Sequence, residues 1–346
     1  LQNVGTTLHA SGEGTQLRVE GNTAGSNGGG LESINGASVL VENGATVIIT
    51  NNEASAYGGG LYSQSGSHVS VENGAKLFIT NNTAGERGGG LAMHNNCSFL
   101  VDGGAECWIE SNVAGSLGNG LGGGMYINSD STVTASGKGT LLRLERNRAA
   151  DSGGGVFLDL ASNLFVTGGA EFNLNHNVAR SAGGGVFLWK SGTGLFAQGA
   201  TTRLLVVNNT AIRGNGGAIA IGTGASAAIV APSTFQENRA GNSGGAIAFT
   251  ASELLESDGG GACVTVFLEF EYRKDNAPSK YKVHPYTLPV SALDSRNREP
   301  LEEMVPSEWC VPGGEYGLIL DGVDESAILL SMRVTHQDGP FLFEKR

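Results

Sequence analysis

The residues in this 346-residue chain that could do chemistry are few and widely spaced. Glu42, Glu72 and Asp102 recur at 30-residue intervals, each beside a Gly-bearing turn. Stacked one above another, they could hold a calcium ion, which takes carboxylate and carbonyl oxygens. The series does not continue into later sequence, and like charges on an exposed corner are more simply read as solvated. The six histidines (His9, His68, His94, His176, His284, His336) stand singly, without metal-ligand spacing. Acid–base cleavage of a polysaccharide would need grouped carboxylates with a nearby Lys or Arg. No such group, no Ser–His–Asp or Cys–His arrangement, and no Gly-rich phosphate loop between a strand and a helix can be argued from the sequence. The sequence implies no catalytic residue, cofactor or resident metal.

Cys97 and Cys107 share one repeat, and Cys263 and Cys310 both lie after the last repeat. That two-plus-two distribution is read either as two local disulfides in an oxidising compartment or as pairs of small core residues. Asn-x-Ser/Thr sequons occur at Asn81, Asn96 and Asn208 and would allow glycosylation in a eukaryotic secretory path.

What must position these residues is a repeat. Asn22, Asn52, Asn82, Asn112, Asn147, Asn177, Asn209 and Asn238 each follow an apolar residue by three places (Val19, Ile49, Ile79, Ile109, Leu144, Leu174, Val206, Phe235). Each precedes an Ala by two, and a run of Gly follows. A period near 30 residues means a stack of like units. Within one unit, Leu61-Tyr62-Ser63, Val69-Ser70-Val71 and Leu77-Phe78-Ile79 alternate in the period-two manner of half-buried strands. Turn residues separate them and no helical pattern intervenes. The expected fold is therefore all-β. It is a parallel β-helix of about eight rungs, three strands to a rung, right-handed by the crossover rule. At about 4.8 Å per rung the rod would be roughly 35–40 Å long. The Asn series is expected to form a structural ladder of stacked amides at one corner.

Phe235-Gln236-Glu237-Asn238 and Gly244-Gly245-Ala246-Ile247 reproduce two short motifs, FxxN and GGA followed by Ile, Leu or Val, and Gly216-Gly217-Ala218-Ile219 reproduces the second. The other repeats use GGG, and Ile, Leu or Val for Phe. In these motifs, over about residues 16 to 250, the chain resembles the polymorphic outer-membrane proteins of chlamydiae. That resemblance implies a secreted passenger domain acting as an adhesin, exported in that family by a C-terminal barrel. The roughly 80 residues after the repeats are too few for a large membrane barrel.

The domain reading is a cap at residues 1–15, repeats at 16–262, and a C-terminal β domain at 263–346 serving as cap or assembly module. In that last segment Val264 to Tyr272, Leu318 to Leu320, Ala327 to Val334 and Phe341 to Phe343 read as strands, with Asp321-Gly322 and Asp338-Gly339 as turns. The net charge of −12, with no block of Lys or Arg, argues against nucleic acid and anionic lipid as partners. No stretch approaches the roughly 20 apolar residues of a spanning helix. The start at Leu1 reads as a portion of a longer precursor.

Alternation turns Tyr62, Tyr126, Phe157 and Phe187 outward on the first strand, with Trp189 two residues on. On the third strand it turns Ile48, Phe78 and Trp108 outward. Two exposed apolar stripes mark partner surfaces. Because they differ, contacts between copies would be heterologous, the type that builds rings or filaments. The reading is a non-enzymatic extracellular or cell-surface rod that meets like copies, other surface proteins or glycans. The alternative is a carbohydrate-active β-helix enzyme.

Overall fold

The computed structural model of the chain describes residues 1–116 and 119–249 in full. Beyond them it describes the backbone of four strands: Cys263–Lys274, Ala277–Lys282, Tyr286–Pro289 and Ile328–Thr335. Residues 1–249 wind as a parallel β-solenoid of eight turns, each turn giving one strand to each of four sheets. A typical turn runs through Leu61–Gln64 (face one), His68–Glu72 (face two), Lys76–Thr80 (face three) and the two-residue Thr83–Ala84 (the corner sheet). The fourth sheet is an addition to the three expected strands. It sits at the Asn-x-Ala corner, where two residues are too short a run to show alternation. The first strand of the stack, Thr7–Ser11, lies within the segment read as a cap and pairs in parallel with Ser38–Glu42.

Register holds from turn to turn, Val47↔Leu77↔Cys107 and Ile49↔Ile79↔Ile109 on face three. A one-residue slip would turn each of these side chains to water, so burial fixes the register. Ile49, Ile79, Ile109, Leu144 and Leu174 are all fully buried, each contributing about 1.5–3 kcal/mol relative to exposure. The Gly run has a steric cause. Gly58 sits at φ +63°, and a Cβ on Gly59 would lie 2.4 Å from the Thr83 carbonyl oxygen of the next turn. Only a residue without a side chain lets the turns approach so closely.

The four strands beyond residue 249 pair antiparallel with one another. The expected strands at Leu318–Leu320 and Phe341–Phe343, with their turns, lie outside the described residues.

Candidate interaction surfaces

The aromatic column of face one is not exposed. Tyr62, Tyr126, Phe157 and Phe187 are 3, 0, 4 and 6% accessible, and Trp189 is half-buried. They point away from the main core, as alternation requires. However, the segment leading from the corner sheet back to face one packs over them. Tyr57, Leu121 and Ala182 from that segment complete a second apolar cluster with the column. Tyr126 stacks on Phe157 at 5.7 Å between centroids, and Phe157 meets Phe187 edge-on at 5.3 Å. Arg87 lies 5.1 Å above the Tyr126 ring and donates from Nη1 to its hydroxyl at 2.9 Å. His94 is lodged 5.2 Å from both Tyr57 and Tyr126. Burial, aided by the Arg87 charge, pushes its pKa down to about 4, and burial pushes Tyr62 and Tyr126 up to about 12.

The face-three stripe does reach solvent. Arg18, Ile48, Phe78, Trp108 and Arg143 stand in one register column, with Ile48, Phe78 and Trp108 half-buried. Phe78 and Trp108 lie 5.9 Å apart, and the Arg143 guanidinium covers Trp108 at 4.6 Å. The sequence reading missed a counterpart on face two. Leu40, Ser70, Leu100, Thr134, Phe165 and Phe196 form one outward column, in which Phe165 and Phe196 stack at 5.1 Å with an interplanar angle of 15°. Its signal was present in the alternation of Leu164-Phe165-Val166 and Leu195-Phe196-Ala197.

The Asn ladder is interior. Asn52, Asn82, Asn112, Asn147, Asn177 and Asn209 are 0–1% accessible. Asn112 is typical. Its Oδ1 accepts from the Asn82 backbone N–H at 2.9 Å and from Asn82 Nδ2 at 3.1 Å, while its Nδ2 donates to Ile79 O at 2.9 Å and Asn147 Oδ1 at 3.0 Å. The terminal members Asn22 and Asn238 belong to the same chain of bonds. A second ladder precedes face two, where Ser131 Oγ accepts from the Cys97 N–H and Ser162 Oγ from the Ser131 N–H.

Cys97 takes a place in that second ladder, its thiol donating to His94 O at 3.2 Å as Ser67 Oγ donates to Gln64 O at 2.8 Å. Cys107 stands between Leu77 and Leu142 on face three. Both are free and buried, which corrects the disulfide expectation for this pair. Proximity in sequence placed them in one turn but on different faces, each filling a core column, and burial pushes both thiol pKa values up. The Cys263–Cys310 pairing lies outside the described residues.

Of the carboxylates, Glu42 and Glu72 pair in register, but Glu42 accepts from His9 Nε2 at 2.9 Å and Asp102 Oδ1 turns to the Gly103 N–H at 2.6 Å. Among the described residues no three His, Cys, Asp or Glu side chains gather into a metal-binding group. Sequon residues Asn81 and Asn96 are exposed and Asn208 is half-buried, all three in left-handed turns at φ +55°, +63° and +55°. No helix of the described residues is long and apolar enough to cross a membrane, which says nothing of a β-barrel.

Against known proteins, residues 46–64 and 232–250 match the sequence profile of the Chlamydia polymorphic membrane protein repeat. At these two stretches the chain is similar to that repeat. The first match spans the face-three strand, Asn corner and Gly turn between Thr46–Thr50 and Leu61–Gln64, and the second spans the corresponding unit six turns on, from Ser233–Gln236 to Ile247–Phe249. Each matched stretch thus covers the part of one turn from face three to the next face one, without face two. No curated protein and no solved structure matches the chain.

Proposed function

We propose that this chain is a surface-associated, non-enzymatic rod that works through its outer faces, meeting like copies or partner proteins outside the cell. The repeat match supports a surface-associated β-helical protein. The observation that carries the contact role is the half-exposed Ile48–Phe78–Trp108 column on a rigid, in-register sheet. Aromatic side chains held by a fixed backbone lose little entropy on contact, which suits them as anchors. The enzyme reading finds less support. The aromatic column of face one lies beneath the corner segment, and the face's carboxylates Glu32 and Asp159 stand four turns apart in neighbouring columns. That is about 19 Å at the strand spacing, beyond the separation used by carboxylate pairs in glycoside hydrolysis.

Sedimentation and negative-stain microscopy of the full chain test the proposal, with Phe78→Ser and Trp108→Ser as the perturbed forms. Oligomers or filaments that disperse in the double variant support contact between copies through face three. Retained assembly in the double variant, or single rods that capture no surface protein at high concentration, would overturn it.

A further inference from the structure

The corner sheet changes character halfway along the rod. Its outward column reads Thr23, Glu53, Thr83 and Val113 in the first four turns, then Arg148, Val178, Thr210 and Arg239 in the last four. Arg180 and Arg213 project from the same region, and Arg148, Arg180 and Arg213 line an open groove of about 380 Å³. Val113, Val178 and Ile212 line it with them, and Ile212 is 50% accessible. All four arginines are exposed, and none forms an ion pair among the described residues. By contrast, Arg143 pairs with Glu145 and Arg146 with Glu110 and Glu145. Asp151, in the same stretch, accepts from Ser152 Oγ at 3.2 Å.

A chain of net charge −12 that gathers four unpaired guanidinium groups at one corner has concentrated positive potential there against its overall sign. Arg148 and Arg239 stand three turns apart, about 14 Å along the axis at the strand spacing. The groove therefore follows the rod and offers charges at intervals set by the turn height. We propose that this corner binds an extended anionic glycan, its sulfate or carboxylate groups held by the arginines and the apolar faces of its rings resting on Val178 and Ile212. Guanidinium forks match such oxyanions in a bidentate way. A nucleic acid is disfavoured because no aromatic side chain lines the groove to stack a base. The corner is distinct from the face-three column, so either proposal can fail while the other stands.

The test is binding of the full chain to heparin and polygalacturonate oligosaccharides, with neutral dextran as the blank, across a salt series. The variants are Arg148→Ala/Arg180→Ala/Arg213→Ala together and Arg18→Ala alone, Arg18 being paired with Glu20 on face three. All are surface changes, and far-UV circular dichroism checks the fold. The proposal expects binding to at least one anionic glycan that falls as salt rises, and about a tenfold or greater loss in the triple variant with Arg18→Ala unchanged. Equal binding by the triple variant, equal loss in Arg18→Ala, or no binding to either glycan would overturn it. So would tighter arginine-dependent binding to single-stranded RNA or to anionic lipid vesicles.

Discussion

Replacing Asn112 by Ala removes one link from the middle of the buried ladder, and the loss can be counted bond by bond. Four hydrogen bonds go: two into Asn112 Oδ1 from Asn82, and two from Asn112 Nδ2 to Ile79 O and Asn147 Oδ1. Asn147 Oδ1 keeps the Asn112 backbone N–H. Two groups are then stranded without water, the Asn82 N–H and one Asn82 amide hydrogen, while the Ile79 carbonyl keeps its strand partner on the next turn. At about 1–3 kcal/mol for each buried orphan, and with some relaxation, the variant should lose about 2–4 kcal/mol. Asn22 gives the internal control. It is exposed, no described residue donates to its Oδ1, and its Nδ2 bonds Glu20 O and Asn52 Oδ1, so Asn22→Ala should lose about 0.5–1 kcal/mol. Urea unfolding followed by circular dichroism gives the difference, with unchanged slope required for the comparison. Hydrogen exchange at the Asn82 amide adds a local readout, expected to quicken sharply in Asn112→Ala. A cost for Asn112→Ala within about 0.5 kcal/mol of that for Asn22→Ala would refute the ladder's energetic role, whatever its geometry.

Gly89→Ala should be among the most damaging single changes, since its Cβ would lie 2.5 Å from both the Val113 and Gly123 carbonyl oxygens, whereas Gly66→Ala meets only backbone strain at φ +73° and should cost about 1 kcal/mol. Their urea midpoints give the ranking directly. His94 should make the rod acid-sensitive. Its folded pKa, about 4, lies below its ordinary 6.5, so the unfolded chain takes up the proton first and stability is lost as pH falls from about 6.5 to 4. The full linkage value is at most roughly 3 kcal/mol, cut to about 1–2 kcal/mol by partial solvent access. Unfolding midpoints of His94→Phe should change less than wild type across that window; an identical profile counts against His94 as the source. Cys97 and Cys107 should resist alkylation in the native protein and react together on unfolding, read by peptide mapping. Rapid native labelling of either would contradict their core placement.

Much of the fold is legible because the repeat samples one environment eight times. Val, Ile and Leu at the place of Ile79 can only be an inward column, and the Asn three places on can only be a ladder once the turns stack. What the sequence concealed depends on neighbours that are not strand residues. Alternation says that Tyr62 and Tyr126 leave the main core, yet not what stands on the other side. The cover comes from Tyr57, Leu121 and Ala182, which sit in irregular chain next to the Gly runs. Their position just before each Gly run was the available signal. Cys97 and Cys107 misled for a related reason. Ten positions apart in a solenoid is a third of a turn, which carries the chain to another face, and only the column neighbours Ser131 and Leu142 disclose what each thiol replaces. The basic corner escaped a reading by charge blocks because Arg148, Arg180, Arg213 and Arg239 are about one turn apart and become neighbours only when wound.

Surface association is the central functional claim, and immunogold electron microscopy of intact source cells tests it most directly, using antibody raised against residues 1–249. Label on the outer surface of unpermeabilised cells, removed by brief external protease, is the predicted result. Label that requires permeabilisation and survives external protease would contradict the account.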